Sequence, residues 1–125
     1  MTAAPAALTV LIIEDNEDNC IIMSAWLEHA GYHVVLAPNG ARGVAMARAI
    51  VPNVILMDIA MPEMDGWRAA LALRDDPATK NIPIIALTAM ALPQDADRAR
   101  EAGVAAYLSK PVSLTRVLES VQSVL

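Results

Sequence analysis

Three acidic residues, a threonine and a lysine stand where short apolar runs of this chain end. Leu8 to Ile13 runs into Glu14 and Asp15, and Val54 to Met57 into Asp58. Ile82 to Leu87 runs into Thr88, and Ala105 to Leu108 into Ser109 and Lys110. If these ends lie side by side, three carboxylates repel one another and call for a cation. Hard oxygen ligands suit magnesium, which takes one or two direct carboxylates and completes its shell with waters and phosphate oxygens. The trio supplies a charge of about −3, against roughly +2 from the ion and +1 from Lys110. The loaded site is then close to neutral and can admit an anionic phosphoryl group. Asp58, between metal and ammonium, is the natural nucleophile, and Thr88 offers a hydroxyl hydrogen bond to a transferring oxygen. Singly, each residue has an ordinary structural reading. An acidic pair after a strand often marks a helix N-terminal cap, which Asp15 or Asn16 could supply. Their joint placement carries the chemistry.

The apolar runs alternate with helical patterns. The short, continuously apolar runs, with Val34 to Ala37 as the second of them, read as strands buried on both faces. Residues 17–30 place Ile22, Met23, Trp26, Leu27 and Ala30 on one helical face, and Gly31 stops that helix. Residues 40–51 form a second helix ended by Pro52, with Gly43 inside it for close packing on the sheet. Asp65-Gly66 opens a third, which runs to about Asp76. Pro93 suits the first turn of a fourth, which ends at Gly103. Ser113 caps a fifth, with Leu114, Val117, Leu118 and Val121 inward. Alternating strands and helices imply an α/β fold, a doubly wound five-stranded parallel sheet. Its expected order is 2-1-3-4-5, with five helices and ligands beyond the strand tips at the switch point.

The chain has 125 residues, of which 56% are hydrophobic, enough for one domain with a full core. Its net charge of −5 argues against direct nucleic-acid binding. No apolar run reaches the roughly 20 residues that span a bilayer. Residues 1–7 lack a signal peptide's basic start and read as a flexible arm before a domain over 8–125. With one cysteine, Cys20, no internal disulfide forms, which suits the cytoplasm. Cys20 reads as a thiol without a role. His29 and His33 fall away from the strand tips and read as solvated.

From about Thr9 to Leu125 the chain resembles the response-regulator receiver family of two-component systems. The resemblance rests on Leu11-Ile12-Ile13-Glu14-Asp15-Asn16, on Asp58-Ile59-Ala60-Met61-Pro62-Glu63-Met64-Asp65-Gly66, on Ile82 to Ala89, and on Gly103 to Pro111. It implies a flavodoxin-like fold and a module that takes a phosphoryl group on Asp58 from a histidine kinase or histidine phosphotransfer protein. Such a module is no dedicated enzyme: it catalyses its own phosphotransfer and a slow autodephosphorylation. The resemblance implies magnesium on Asp15, Asp58 and the Ala60 carbonyl, with Glu14 acting through water. Thr88, Ala89 and Lys110 would bind the phosphoryl group. Thr88 and Tyr107 would form the switch, and the bond before Pro111 would be cis. Signalling would run through the fourth helix, fifth strand and fifth helix to a protein partner, as a monomer or a phosphorylation-dependent homodimer. The expectation is a stand-alone receiver, since no output domain follows Leu125. The opening Glu-Asp-Asn and the Met57 to Pro62 stretch lean toward cell-cycle and phosphorelay members. Met90, apolar where the family controls water access, is expected to shield the site and slow dephosphorylation. Cys20 and Ile21, off the expected core face, are candidates for contact with a phosphodonor's helices.

Three rivals fit less well. A haloacid-dehalogenase-type phosphatase needs its nucleophile on the first strand in a D-x-D arrangement, whereas Glu14 and Asp15 are adjacent. A flavodoxin needs a hydroxyl-rich phosphate loop where those acids stand. A degenerate receiver would lack part of the set.

Overall fold

Each of the five apolar runs becomes a strand, and parallel pairing of these strands brings all their carboxyl ends to one rim. The computed structural model describes residues 8–59, 66–88, 97, 100–110 and 112–125. The strands are β1 (Thr9–Ile13), β2 (His33–Ala37), β3 (Val54–Asp58), β4 (Ile84–Thr88) and β5 (Ala106–Ser109). They form one sheet in the order β2-β1-β3-β4-β5. Every pairing is parallel, with Ile13 opposite Met57, Asp58 opposite Leu87 and Thr88 opposite Ser109. The helices are α1 (Glu17–His29), α2 (Gly40–Ile50), α3 (Gly66–Asp75), the described part of α4 (97 and 100–102) and α5 (Leu114–Val124).

Side chains alternate across the strands and fill two cores. Leu11, Ile13, Ile55 and Met57 meet Val44 and Ala47 of α2 and Trp67, Ala70 and Leu73 of α3. Val10, Ile12, Val54 and Leu56 meet Met23 and Leu27 of α1 and Val117 and Val121 of α5. The central strands are buried on both faces as expected. The edge strand β2 is not: His33 and Leu36 are exposed, because among the described residues no strand pairs beyond it.

Local chemistry sets the boundaries. Asn16, Asn39 and Ser113 cap α1, α2 and α5 by accepting from the amides of Asn19, Arg42 and Arg116. Gly31 ends α1 with φ of 100°, and Gly103 follows α4 with φ of 69°. Gly43 lets α2 approach β1, since a methyl group there would come within 2.4 Å of Ile13 Cδ1. One expected helix face is rotated, and one is shortened by a residue at its start. On α1 the buried positions are Cys20, Met23 and Leu27, while Ile22 and Ala30 are exposed. The helix lies with its 20-23-27 line on the sheet, and the apolar side chain of Ile22 falls on the flank. On α5, Leu114 is exposed and the inward line begins at Val117. The expected start of the fourth helix at Pro93, the arm at 1–7 and Asp65 lie outside the described residues.

Candidate functional site

The sheet rim gathers the acids. Hydrogen bonding of Asn16 to the first turn of α1 takes the capping role, so Asp15 is left exposed beside the tip of β1. Glu14 and Asp58, at the ends of the adjacent central strands, are buried. Glu14, Asp15 and Asp58 each offer a carboxylate oxygen, and these atoms lie within 4.8 Å of one another. Lys110, just beyond β5, reaches across: its Nζ is 3.1 Å from Asp58 Oδ2 and 3.6 Å from Glu14 Oε1. Its backbone amide donates to the Thr88 carbonyl at 2.6 Å, which ties the ends of β4 and β5 together. Thr88 is buried on the strand next to Asp58, and Tyr107 is half-buried in β5, packed against the α2–α3 core.

Glu14 is the electrostatic oddity. It is 2% exposed, and its Oε2 is buried with no hydrogen-bond donor. Burial, then hydrogen bonding to Asp58, pushes its carboxyl up to about 7, against the pull of Asn19; repulsion from Asp58 adds to the rise and Lys110 opposes it. A buried acceptor without a donor costs free energy until a proton or a cation reaches it. Three converging carboxylates with one orphaned oxygen fit a small divalent ion with hard-oxygen preference.

The expected residues Glu14, Asp15, Asp58, Thr88 and Lys110 thus share one rim. Ala60, Ala89, Met90 and Pro111 lie outside the described residues. Cys20 is buried, not an exposed contact: its Sγ donates to the Glu14 carbonyl at 3.5 Å. Burial and then the charges of Glu14, Asp15 and Glu17 push its thiol up, away from reactivity. Ile21 is 66% exposed on α1. One contact has no counterpart in the sequence reading. Asn19 donates from Nδ2 to Glu14 Oε1 at 2.7 Å. Its signal was an amide side chain on the first turn of α1, directly above the strand tip that carries Glu14.

Comparison with known proteins defines the class. Residues 10–122 match the family model of the response regulator receiver domain, and the chain belongs to that family. It is 40% identical over 117 residues to the polar-differentiation response regulator DivK of Brucella anthropi, covering 94% of this chain and 95% of that protein. The DivK of Brucella melitensis is 39% identical over the same length. Among solved structures, the chemotaxis protein CheY4 of Vibrio cholerae superposes with a TM-score of 0.92 at 31% identity, covering 96% of this chain and 100% of that one. The receiver domain of a Pseudomonas aeruginosa sensor histidine kinase superposes at 0.87 with 35% identity, covering 94% and 97%, and holds a magnesium ion in its active-site cleft.

Proposed function

We propose that the chain is a phosphoacceptor that receives a phosphoryl group on Asp58, in the presence of magnesium, from a histidine kinase or histidine phosphotransfer protein. The observation that carries this reading is the pairing of Asp58 Oδ2 with Lys110 Nζ at 3.1 Å inside a three-carboxylate cluster. Magnesium held by Asp15 and Asp58, with Glu14 through water, would supply the positive charge that offsets the carboxylates and the incoming phosphoryl oxygens.

The chain's own residues do the rest. Asp58 presents its carboxylate from the end of a fully buried strand, so its position is fixed before a donor arrives. Lys110 supplies a point charge 3.1 Å from Asp58 Oδ2 and 3.6 Å from Glu14 Oε1. Thr88, locked to Lys110 through the backbone, would donate its hydroxyl to a phosphoryl oxygen. Burial of Asp58 limits water attack on the acyl phosphate. Movement of Thr88 toward that group would make room for Tyr107 to turn inward and alter the surface of α4, β5 and α5, where a partner reads the state. The exposed Ile21 and Ile22, on α1 beside the site, suit an apolar contact with the donor's helices. No described helix is long and apolar enough to cross a membrane, and we place the reaction in the cytoplasm.

Incubation with magnesium and acetyl phosphate tests the reading. The intact mass should rise by one phosphoryl unit in the wild type and stay fixed in Asp58→Ala. A wild-type mass that never changes, with the protein folded and magnesium present, would sink it.

A further inference from the structure

Asn19 touches the site but has no part in the chemistry described so far. Its backbone amide is fixed by the Asn16 cap at 3.0 Å, so the first turn of α1 is set before the side chain extends. The side-chain amide then donates to Glu14 Oε1 at 2.7 Å. Lys110 Nζ stands 3.6 Å from that same oxygen and 3.1 Å from Asp58 Oδ2. The two donors therefore share Oε1, and Asn19 holds the shorter contact. The second oxygen of Glu14, Oε2, is buried and has no donor.

We propose that Asn19 is a positioning residue for the metal site. By occupying Glu14 Oε1 it leaves Oε2 as the oxygen available to a divalent ion or its water, and it leaves the Lys110 ammonium to Asp58. The inference rests on the reading of the acidic cluster as a magnesium site. An amide suits the task because it donates without charge: a cationic side chain here would oppose the metal, and an apolar one would leave Oε1 to Lys110. Asn19 also forms part of the wall of an open groove of about 470 Å³ that includes Lys110, Met23 and Trp26, so its side chain borders open space and is not enclosed in a core. Residues that orient a metal's ligands from behind typically change metal affinity by 10–100-fold when removed.

Magnesium titration by isothermal calorimetry of five proteins tests this: wild type, Asn19→Ala, Asn19→Gln, Glu14→Gln and the Asn19→Ala, Glu14→Gln double variant. Alanine is the best helix former, so α1 is retained, and the thermal midpoint in EDTA checks this directly. Asn19→Ala should weaken magnesium about 10-fold. Asn19→Gln, which restores an amide, should recover part of that loss. In the Glu14→Gln background the same Asn19→Ala change should add nothing, because the partner through which it acts is already neutral. With acetyl phosphate, the Asn19→Ala rate should return toward wild type at saturating magnesium. Equal magnesium affinity in wild type and Asn19→Ala overturns the proposal, as does an equal loss in both Glu14 backgrounds. A wild type that binds no magnesium overturns the underlying metal reading, and this proposal with it.

Discussion

Glu14 links the site to pH. Its carboxyl titrates near 7 in the metal-free fold and near 4.5 when unfolded, burial being the main cause. Between those values the folded state binds the extra proton, so the stability from this group is complete below about 4.5 and is lost as pH rises through 7. In EDTA, the melting temperature of the wild type relative to Glu14→Gln should therefore fall from pH 4.5 to 7.5. Magnesium should remove most of that fall, because the ion takes the proton's place. The same competition makes magnesium binding weaken below pH 7, and Glu14→Gln should flatten that dependence in a titration series. The main site residues were legible in the sequence because their types are rare in apolar surroundings: an acid, a hydroxyl or an ammonium that ends a buried strand has few structural reasons to be there. Asn19 was not legible, since its place in the first turn of α1 names no partner, and only coordinates show its amide on Glu14.

Among the elements, two junctions carry measurable strain or crowding. Val51 closes α2 with φ of 46°, in the left-handed region that β-branched residues avoid, and its side chain is exposed. Val51→Gly removes a backbone cost of roughly 1–2 kcal/mol, partly offset by a looser unfolded chain. The expected outcome is a rise of a few degrees in melting temperature with unchanged phosphorylation. Gly66 opens α3 directly against the end of β3, where a methyl group would lie 2.7 Å from the Asp58 carbonyl oxygen and 2.6 Å from Ile59 Cα. Neither backbone atom can give way without moving β3. Gly66→Ala should cost on the order of 1–3 kcal/mol in a denaturant titration and should also slow phosphorylation with acetyl phosphate. The strands, the caps and the ends of the helices could be read from apolar runs, Asn/Ser and glycine. The rotation of α1 could not. Ile22 and Cys20 are both apolar, and the choice between the 20-23-27 and 22-23-26 lines depends on how the helix seats on the sheet, which a periodicity does not contain.

At the scale of the molecule, the parallel order places the functional residues on one rim and the histidines away from it, His33 at the start of β2. A phosphoryl group accepted at Asp58, as proposed, would have to shift an equilibrium from that rim. Driving a conformer from about 1% to 99% needs about 5.5 kcal/mol, and one charged hydrogen bond gives roughly 1.5–3 kcal/mol. Thr88 alone is insufficient, whereas Thr88 and Lys110, coupled by the 2.6 Å backbone bond, can act together. On phosphorylation, amide chemical shifts should move most at Thr88, Tyr107 and Lys110 and least at His29 and His33. Uniform small shifts would argue against a switch through β4 and β5. Alternation and handedness left few topologies, and the strand order is the usual one among them for five parallel strands. The groove beside Trp26 did not, because it depends on the spacing between α1 and the segment after β5.

The largely covered position of Cys20 has a practical consequence. A lone sulfhydryl that packs against the end of β1 and is only 9% exposed should meet an alkylating reagent faster when α1 and β1 part. Maleimide uptake by the native protein then works as a clock for that local opening, with no engineered probe and no competing thiol. A divalent ion that clamps the neighbouring carboxylates should slow the clock, and its ticking rate, followed by mass, would report how tightly this corner is held in each signalling state.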